Sequence, residues 1–441
     1  MEAAALALNA GVDIDMVSNS YIQGLPAALK RGLVAMADID ASVRRVLAMK
    51  ERLGLFDDPY RRGSATPDAS AADGAAARRE LAREAARRAI VLLTHRTRVL
   101  PISAQIRRMA LIGPLAAAPG EMLGPWASAG RPEEAISILE GLKAALPHCR
   151  IDCDPGIEIA GEDARGISAA VERCSDAELI VLCLGEAAAM SGEAASRTDL
   201  GLPGRQRELA EAVLSLGKPV VALLSSGRPL TLPWLIDRAD AVLATWFLGS
   251  EAGHAVADVL TGRFNPTGRL PLSWPRNSGQ IPLFFSQRPT GRPTQPGVHY
   301  SSSYLDAPAT PQFPFGHGLS FSRFSLLGVE CNPARIRKGE SVEVTATVRN
   351  DSATEGEATL FLFVRDVLAS LARPLLELKG VRKIVLAADE VGHVTFRLPA
   401  DRLAFVGPAL EPVLEPGRFE VHVGQSADPA GRLTASFELI P

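Results

Sequence analysis

The sequence predicts an α/β domain with a mostly parallel sheet, followed by a small all-β sandwich. Between about residues 80 and 275, apolar runs of strand length alternate with helical patterns, the signature of a parallel sheet covered by helices on both faces. Beyond about residue 320 the apolar period switches to two, as in Ser341-Val-Glu-Val-Thr-Ala-Thr-Val348. That gives six or seven short strands over roughly 120 residues, which suits a sandwich of the immunoglobulin or fibronectin kind. The 441 residues leave room for two to four domains at roughly 100 to 200 residues each.

In chain order, residues 1–62 read as a short strand, Gly11 to Met16, and two helices, around Tyr21 to Leu33 and from Ile39 to Leu53, with Gly54 as a stop. One strand cannot satisfy its own backbone edges, so this segment is expected to be the end of something larger. Residues 63–79, rich in Ala, Ser, Gly, Asp and Pro, read as a solvated linker. The α/β domain is expected at 80–287. Its strands are Ile90 to Leu93, Met109 to Gly113, Cys149 to Cys153, Leu179 to Leu184, Val220 to Leu224 and Ala241 to Trp246. Its helices are Glu133 to Leu146, Gly166 to Arg173, Arg205 to Leu216 and Glu251 to Leu260. A Pro-rich crossing at 288–320 leads into the sandwich at 321–441, with further strands at Thr359 to Val364, Arg382 to Leu386, His393 to Leu398, Arg418 to Val423 and Leu433 to Leu439.

Composition excludes several functions. With 47 Lys+Arg against 50 Asp+Glu the net charge is −3, and no long run of one sign exists, which argues against a nucleic-acid partner. Apolar residues at 47% and charged residues at 22% are ordinary for a globular protein. The apolar runs, such as Glu178-Leu-Ile-Val-Leu-Cys-Leu184, fall far short of the ~18 residues of a membrane span, so no membrane partner is expected. Five cysteines without a Cys-x-x-Cys spacing and seven scattered histidines point to no metal. The start, Met-Glu-Ala-Ala-Ala-Leu-Ala-Leu, lacks the basic end and apolar core of a secretory signal, so the expected location stays open.

In open parallel sheets ligands sit beyond the carboxyl ends of the strands, which draws attention to the loops after Gly113, Leu184 and Leu224. Leu224-Ser-Ser-Gly-Arg-Pro229 puts serines after a strand, but the nucleophile elbow needs Gly on both sides and only Gly227 is present. No glycine loop has dinucleotide or Walker spacing, and no cofactor is expected. The stretch Gly185 to Pro203 has no strand or helix period, and loops of such length are usually functional or disordered. It carries Glu186, Ser191, Glu193, Ser196, Arg197, Thr198 and Asp199. Glycosidic cleavage needs one protonated and one ionised carboxyl group. Glu193, beside Arg197 and Asp199, stands where neighbours can tune its protonation; a surface ion pair is its alternative role.

The stretch Gly185-Glu-Ala-Ala-Ala-Met-Ser-Gly-Glu-Ala-Ala-Ser-Arg-Thr-Asp-Leu-Gly-Leu-Pro203 resembles the acid/base loop of glycoside hydrolase family 3, in its bacterial, usually periplasmic, β-glucosidase branch. The resemblance continues through Thr245-Trp-Phe-Leu-Gly-Ser-Glu-Ala-Gly253, Asn265-Pro-Thr-Gly-Arg-Leu-Pro271, Phe313-Pro-Phe-Gly-His-Gly-Leu-Ser320 and Arg373-Pro-Leu-Leu-Glu-Leu-Lys-Gly380, in order along essentially the whole chain. It implies a (β/α)₈ barrel, an α/β sandwich and a fibronectin type III-like domain. Residues 1–62, with Ala10-Gly-Val-Asp-Ile-Asp-Met16 and Leu53-Gly-Leu-Phe-Asp-Asp-Pro-Tyr60, are similar to the last piece of that barrel.

The resemblance further implies that Glu193 is the general acid/base, with Glu186, Arg197 and Asp199 as loop organisers. The family's nucleophile, an Asp in a Ser-Asp pair on the barrel, has no counterpart in these residues. Asp13 and Asp15 are the nearest carboxylates, but they match structural strand positions. The implied function is retaining hydrolysis of terminal β-D-glucosyl residues from a β-glucoside or oligosaccharide, with this chain alone inactive. The alternative is a non-catalytic carbohydrate-binding or barrel-docking module, from a degenerate or truncated gene. Residues 1–60 are then expected to self-associate or to bind a barrel partner.

Overall fold

A computed structural model describes residues 1–60, 70–295 and 297–441. The chain forms two compact units, Met1–Ala76 and Ala77–Pro441.

The first unit is helical. Helix α1 (Glu2–Asn9) is Ala-rich and lacks the apolar stripe that would mark it in sequence; α2 (Ser20–Lys30) and α3 (Met36–Arg52) follow the expected spacing. Ala5, Leu8, Ala28 and Val34 form a small core. The expected strand at Gly11 to Met16 is not formed. A strand exists only as part of a hydrogen-bonded ladder, and the described residues of this unit supply no neighbour, so the segment runs as an irregular connector. Its carboxylates are structural. Asp13 pairs with Arg45 at 2.6 Å, and Asp15 accepts the Ser18 hydroxyl at 2.6 Å and the Tyr21 amide at 3.0 Å. Those hydrogen bonds, from Arg45 and from Ser18 first, hold both carboxyls below the usual Asp range.

The expected linker is in part a helix. Residues 63–69 lie outside the described residues, whereas α4 (Ser70–Ala89) occupies the rest of that span. Alanine is the strongest helix former, and Glu84 braces the helix by pairing with Arg87 and Arg88 one turn on. Without an apolar stripe the helix is tied down by charge instead: Arg83 grips buried Asp258 through two bonds of 2.6 and 2.7 Å, and Arg79 meets buried Glu251 at 2.6 Å.

Six strands make the central sheet: β1 (Val91–His95), β2 (Arg108–Ile112), β3 (Arg150–Asp154), β4 (Leu179–Gly185), β5 (Val220–Ser225) and β6 (Ala241–Ala244). Their order is β1-β6-β5-β4-β2-β3, parallel throughout except for β1. Every expected strand is present within a few residues. The runs are continuously apolar because both faces are buried: Ile180, Leu182 and Leu184 of β4 enter one core while Leu179, Val181 and Cys183 enter the other. Helices α5 (Pro119–Met122), α6 (Ile138–Ala145), α7 (Ile167–Arg173), α8 (Gln206–Leu214), α9 (Pro233–Ile236) and α10 (Ala252–Leu260) cover the sheet. Helix α6 starts later than the expected Glu133 because Ser137 and Glu140 form a reciprocal cap there. Successive strands add on one side up to β3 and on the other from β4 onward, so the topological switch lies between β2 and β4.

The crossing covers the sheet's outer edge. Leu319 pairs with Leu92 of β1, and His317 Nε2 lies 2.9 Å from the Leu93 carbonyl. The β-sandwich follows: β7 (Phe324–Asn332), β8 (Arg335–Ile336), β9 (Ser341–Asn350), β10 (Gly356–Asp366), β11 (Glu377–Leu386), β12 (Val391–Pro399), the hairpin β13 (Phe405–Val406) and β14 (Pro412–Val413), β15 (Gly417–Gly424) and β16 (Arg432–Leu439). A sheet β11-β10-β15-β16-β8 faces a sheet β12-β9-β7 across a core that includes Val344, Leu360, Phe396 and Val421. Strand β7 escaped the period-two reading because its residues are half-buried on both sides and do not alternate.

Burial, the first cause in each case, holds His95 and His317 below the ordinary histidine value of 6.5. Below about pH 6.5 the unfolded chain takes up protons that the folded chain refuses, so their stabilising contribution is full above that value and is lost as pH falls through it. The denaturant midpoint of the protein is expected to drop between about pH 7.5 and pH 5.5, and less so in His317→Gln, as followed by fluorescence-monitored unfolding.

Candidate active site

The loop Glu186 to Pro203 leaves the carboxyl end of β4, beside the switch point. Its root is tightly set. Gly185 has φ +144°, and a Cβ there would fall 1.8 Å from the Ser225 carbonyl oxygen of β5, so no other residue fits without moving the backbone. Buried Gln206, at the start of α8, accepts from the Gly185 amide at 2.8 Å and donates to the Gly185 carbonyl at 2.7 Å.

Glu186 comes next and is fully buried. A carboxylate removed from water needs charge and hydrogen bonds on both oxygens. Arg197 Nη1 lies 2.5 Å from Oε1. Ser226 Oγ at 2.9 Å and Ser191 Oγ at 3.2 Å donate to Oε2. Arg228 Nε stands 3.3 Å from Oε2, near enough for charge pairing though too far off angle for a hydrogen bond. Arg228 Nη2 reaches the Met190 carbonyl at 2.5 Å and the Ala195 carbonyl at 2.7 Å, which lie on either side of Glu193. Arg197 also donates to the Gly201 carbonyl at 3.2 Å, and Asp199 Oδ1 accepts the Gly201 amide at 2.8 Å in a local turn.

Glu193 itself is exposed at the tip of the held segment. Ala194 after it has φ +57°, a conformation that costs a non-glycine residue about 1 to 2 kcal/mol. The tip backs onto the loop that follows β2: a Cβ on Gly192 would fall 2.9 Å from Pro125 Cβ and 3.8 Å from Trp126 Cε2. Trp126 is 73% exposed, an unusual state for so large an apolar ring. The structure therefore brings together a free carboxyl group, an open aromatic face and a buried charge network at the carboxyl edge of the sheet. Such a set suits proton transfer to a neutral, ring-shaped substrate. Among the described residues no group of three or more His, Cys, Asp and Glu side chains converges as metal ligands.

Residues 90–321, over half of the chain, match the glycosyl hydrolase family 3 C-terminal domain. The chain belongs to glycosyl hydrolase family 3. Residues 1–49 match the family 3 N terminal domain, and residues 358–427 match a fibronectin type III-like domain. Among its relatives, the periplasmic beta-glucosidase of Salmonella typhimurium is 37% identical over the whole chain, and a beta-xylosidase of Formosa agariphila is 33% identical over 97% of it. The crystal structure of a beta-glucosidase from Listeria innocua in complex with isofagomine superposes with a TM-score of 0.90 at 36% identity, over 99% of this chain. The chain spans 60% of the length of each of these three.

In this family 3 chain, the sequence-predicted loop residues Glu186 and Arg197 lie together at the root of the loop, exposed Asp199 holds only the Gly201 amide, and Glu193 lies apart at the tip. Sequence reasoning missed Ser226, Arg228 and Trp126. The first two sat in a segment tested only as a nucleophile elbow. Ser226 is 3% exposed and its hydroxyl is shared between Glu186 Oε2 at 2.9 Å and the Arg228 carbonyl at 2.8 Å, which leaves it no nucleophile's role. Trp126 was announced only by a lone aromatic within Leu123-Gly-Pro-Trp-Ala-Ser-Ala-Gly130.

Proposed function

We propose that this chain carries the general acid/base of a retaining β-glucosidase-type hydrolase, and that Glu193 is that group. The observation that carries the reading is the placement of Glu193: an exposed carboxyl on a long loop whose path is held on both flanks by one half-buried cation, Arg228. In the reaction, Glu193 protonates the departing glycosidic oxygen while a carboxylate attacks the anomeric carbon. It then removes a proton from the water that releases the sugar from that carboxylate. The attacking carboxylate would stand about 5 to 5.5 Å away, on a part of the family's N-terminal domain that these 441 residues do not include. Glu186, Arg197 and Asp199 act as organisers of the loop, and Trp126 offers the sugar or its aglycone a ring to stack on. Terminal β-D-glucosyl residues are the proposed substrate, and the name of the Salmonella relative supports a periplasmic location.

The test is an aryl β-D-glucoside assay of the 441 residues alone and of the same residues joined to the remainder of a family 3 N-terminal domain. Turnover is expected only in the joined protein. Losing a nucleophile costs on the order of 10⁴ to 10⁶ in rate in well-studied hydrolases, so the 441 residues alone should not exceed background. Turnover by them that Glu193→Gln abolishes would reveal a substitute nucleophile within the chain.

A further inference from the structure

Away from the loop, the second unit contains a cleft of about 700 Å³ where the crossing meets the sandwich. Arg269, Ser320, Ser322, Arg323, Gln425 and Asp428 are among the residues that line it. Its deepest cation is Arg269, whose side chain lies flat against the backbone of Gly318: a Cβ there would fall 3.1 Å from Arg269 Cδ and 3.2 Å from Nη1. Of the three guanidinium nitrogens, Nη1 donates to the Gly268 carbonyl at 2.8 Å, while Nε is sealed from solvent with no partner. No carboxylate among the described residues stands within ion-pair distance of Arg269.

Nearby acids are already committed. Glu357 lies close enough to act on Arg269 through space, but its carboxylate is held by Lys383 at 2.7 Å and Arg88 at 3.2 Å. Asp351, at the rim, pairs with Arg349 at 2.6 Å. Asp428 holds the Ala430 amide at 3.0 Å and is the one lining carboxylate without an ion pair among the described residues, against two such cations, Arg269 and exposed Arg323. Burial pulls the Arg269 guanidinium down to about 10, which still leaves it charged at neutral pH. A guanidinium drawn partly out of water with no carboxylate opposite it is costly, and an oxyanion with two oxygens matches the planar group.

We propose that this cleft binds a small oxyanion, a carboxylate or phosphate, with Arg269 as its main contact and Arg323 at the mouth. The Ser320 and Ser322 hydroxyls already donate to Asn265 Oδ1 at 2.7 Å and to the Glu355 carbonyl at 3.2 Å, so of these neutral side chains it is Gln425, with one amide hydrogen given to the Phe324 carbonyl and one left, that meets a hydroxylated ligand such as a sugar acid. This site is separate from the acid/base loop and independent of the role given to Glu193.

Isothermal titration of the 441-residue chain with D-glucuronate, inorganic phosphate and, as a neutral control, glucose tests it. Binding of at least one anion is expected in the millimolar range or tighter, on the order of 1 mM, weakening as salt is added. Tighter glucuronate than phosphate identifies a hydroxylated acid as the ligand class; the reverse identifies the free inorganic ion. Arg269→Gln should weaken binding about tenfold or more. Should that variant fail to fold, Arg323→Glu, altered at an exposed position, should still weaken it about threefold or more. No binding of either anion, glucose binding as tightly as glucuronate, or unchanged affinity in the variants would overturn the proposal.

Discussion

In the protein joined to a full N-terminal domain, Glu193→Gln should lower kcat/KM on alkyl β-glucosides by about 100- to 10,000-fold, the usual span of general acid catalysis. An alkoxide is a poor leaving group and departs only if protonated, and glutamine cannot supply the proton. A dinitrophenyl glucoside carries a leaving group that needs no proton, so its kcat/KM should change little. Its kcat should nevertheless fall, because water attack on the glycosyl intermediate still needs the base, and KM should fall with it as that intermediate accumulates. A small anion such as azide, which needs no deprotonation, should restore that second step. Equal losses of kcat/KM on both substrates would remove Glu193 from the acid's role.

Arg228→Met is expected to destabilise the second unit by about 2 to 4 kcal/mol, toward the lower part of the range for breaking a buried ion pair, because Arg197 still holds the other oxygen of Glu186. The cost arises on both sides of the removed group. Glu186 Oε2 keeps only two serine hydroxyls, and the carbonyls of Met190 and Ala195 lose their donor. Chemical denaturation reads the stability, and limited proteolysis between residues 187 and 199 reads the loop. A cycle with Glu186→Gln should show coupling of about 1 to 3 kcal/mol between the two positions. A variant as stable and as protease-resistant as the parent would show that Arg228 is incidental to the loop.

These two predictions rest on contacts of different legibility. The sheet was readable because β4 and β5 are buried on both faces, and such strands must be apolar end to end. The sandwich was readable where one face is wet, as in β9, and unreadable in β7, where both faces are half covered. At Gly11 to Met16 the local pattern was that of a strand, but strand formation depends on neighbours that local pattern does not contain. Helix α4 failed in the opposite way: its anchors, Asp258 and Glu251, lie far along the chain, so its own residues look like a solvated tract. Glu193 was picked out by its loop and by resemblance. Of its support, Glu186 and Arg197 were named but Arg228 was not, because Glu186 and Arg228 are 42 positions apart and meet only once β4 and β5 lie side by side.

The manner in which Arg228 holds the loop has a bearing on how the protein can change. Its bonds at 190 and 195 end on main-chain oxygens, which every amino acid offers alike. Side chains at Met190, Glu193 and Ala195 can therefore be exchanged without releasing the clasp, whereas Ser191 and Gly192 are fixed by their own contacts and an added or deleted residue between the two carbonyls would break its spacing. Libraries that vary identity at those three positions at fixed length should retain folded members in quantity, and those that vary length should lose them.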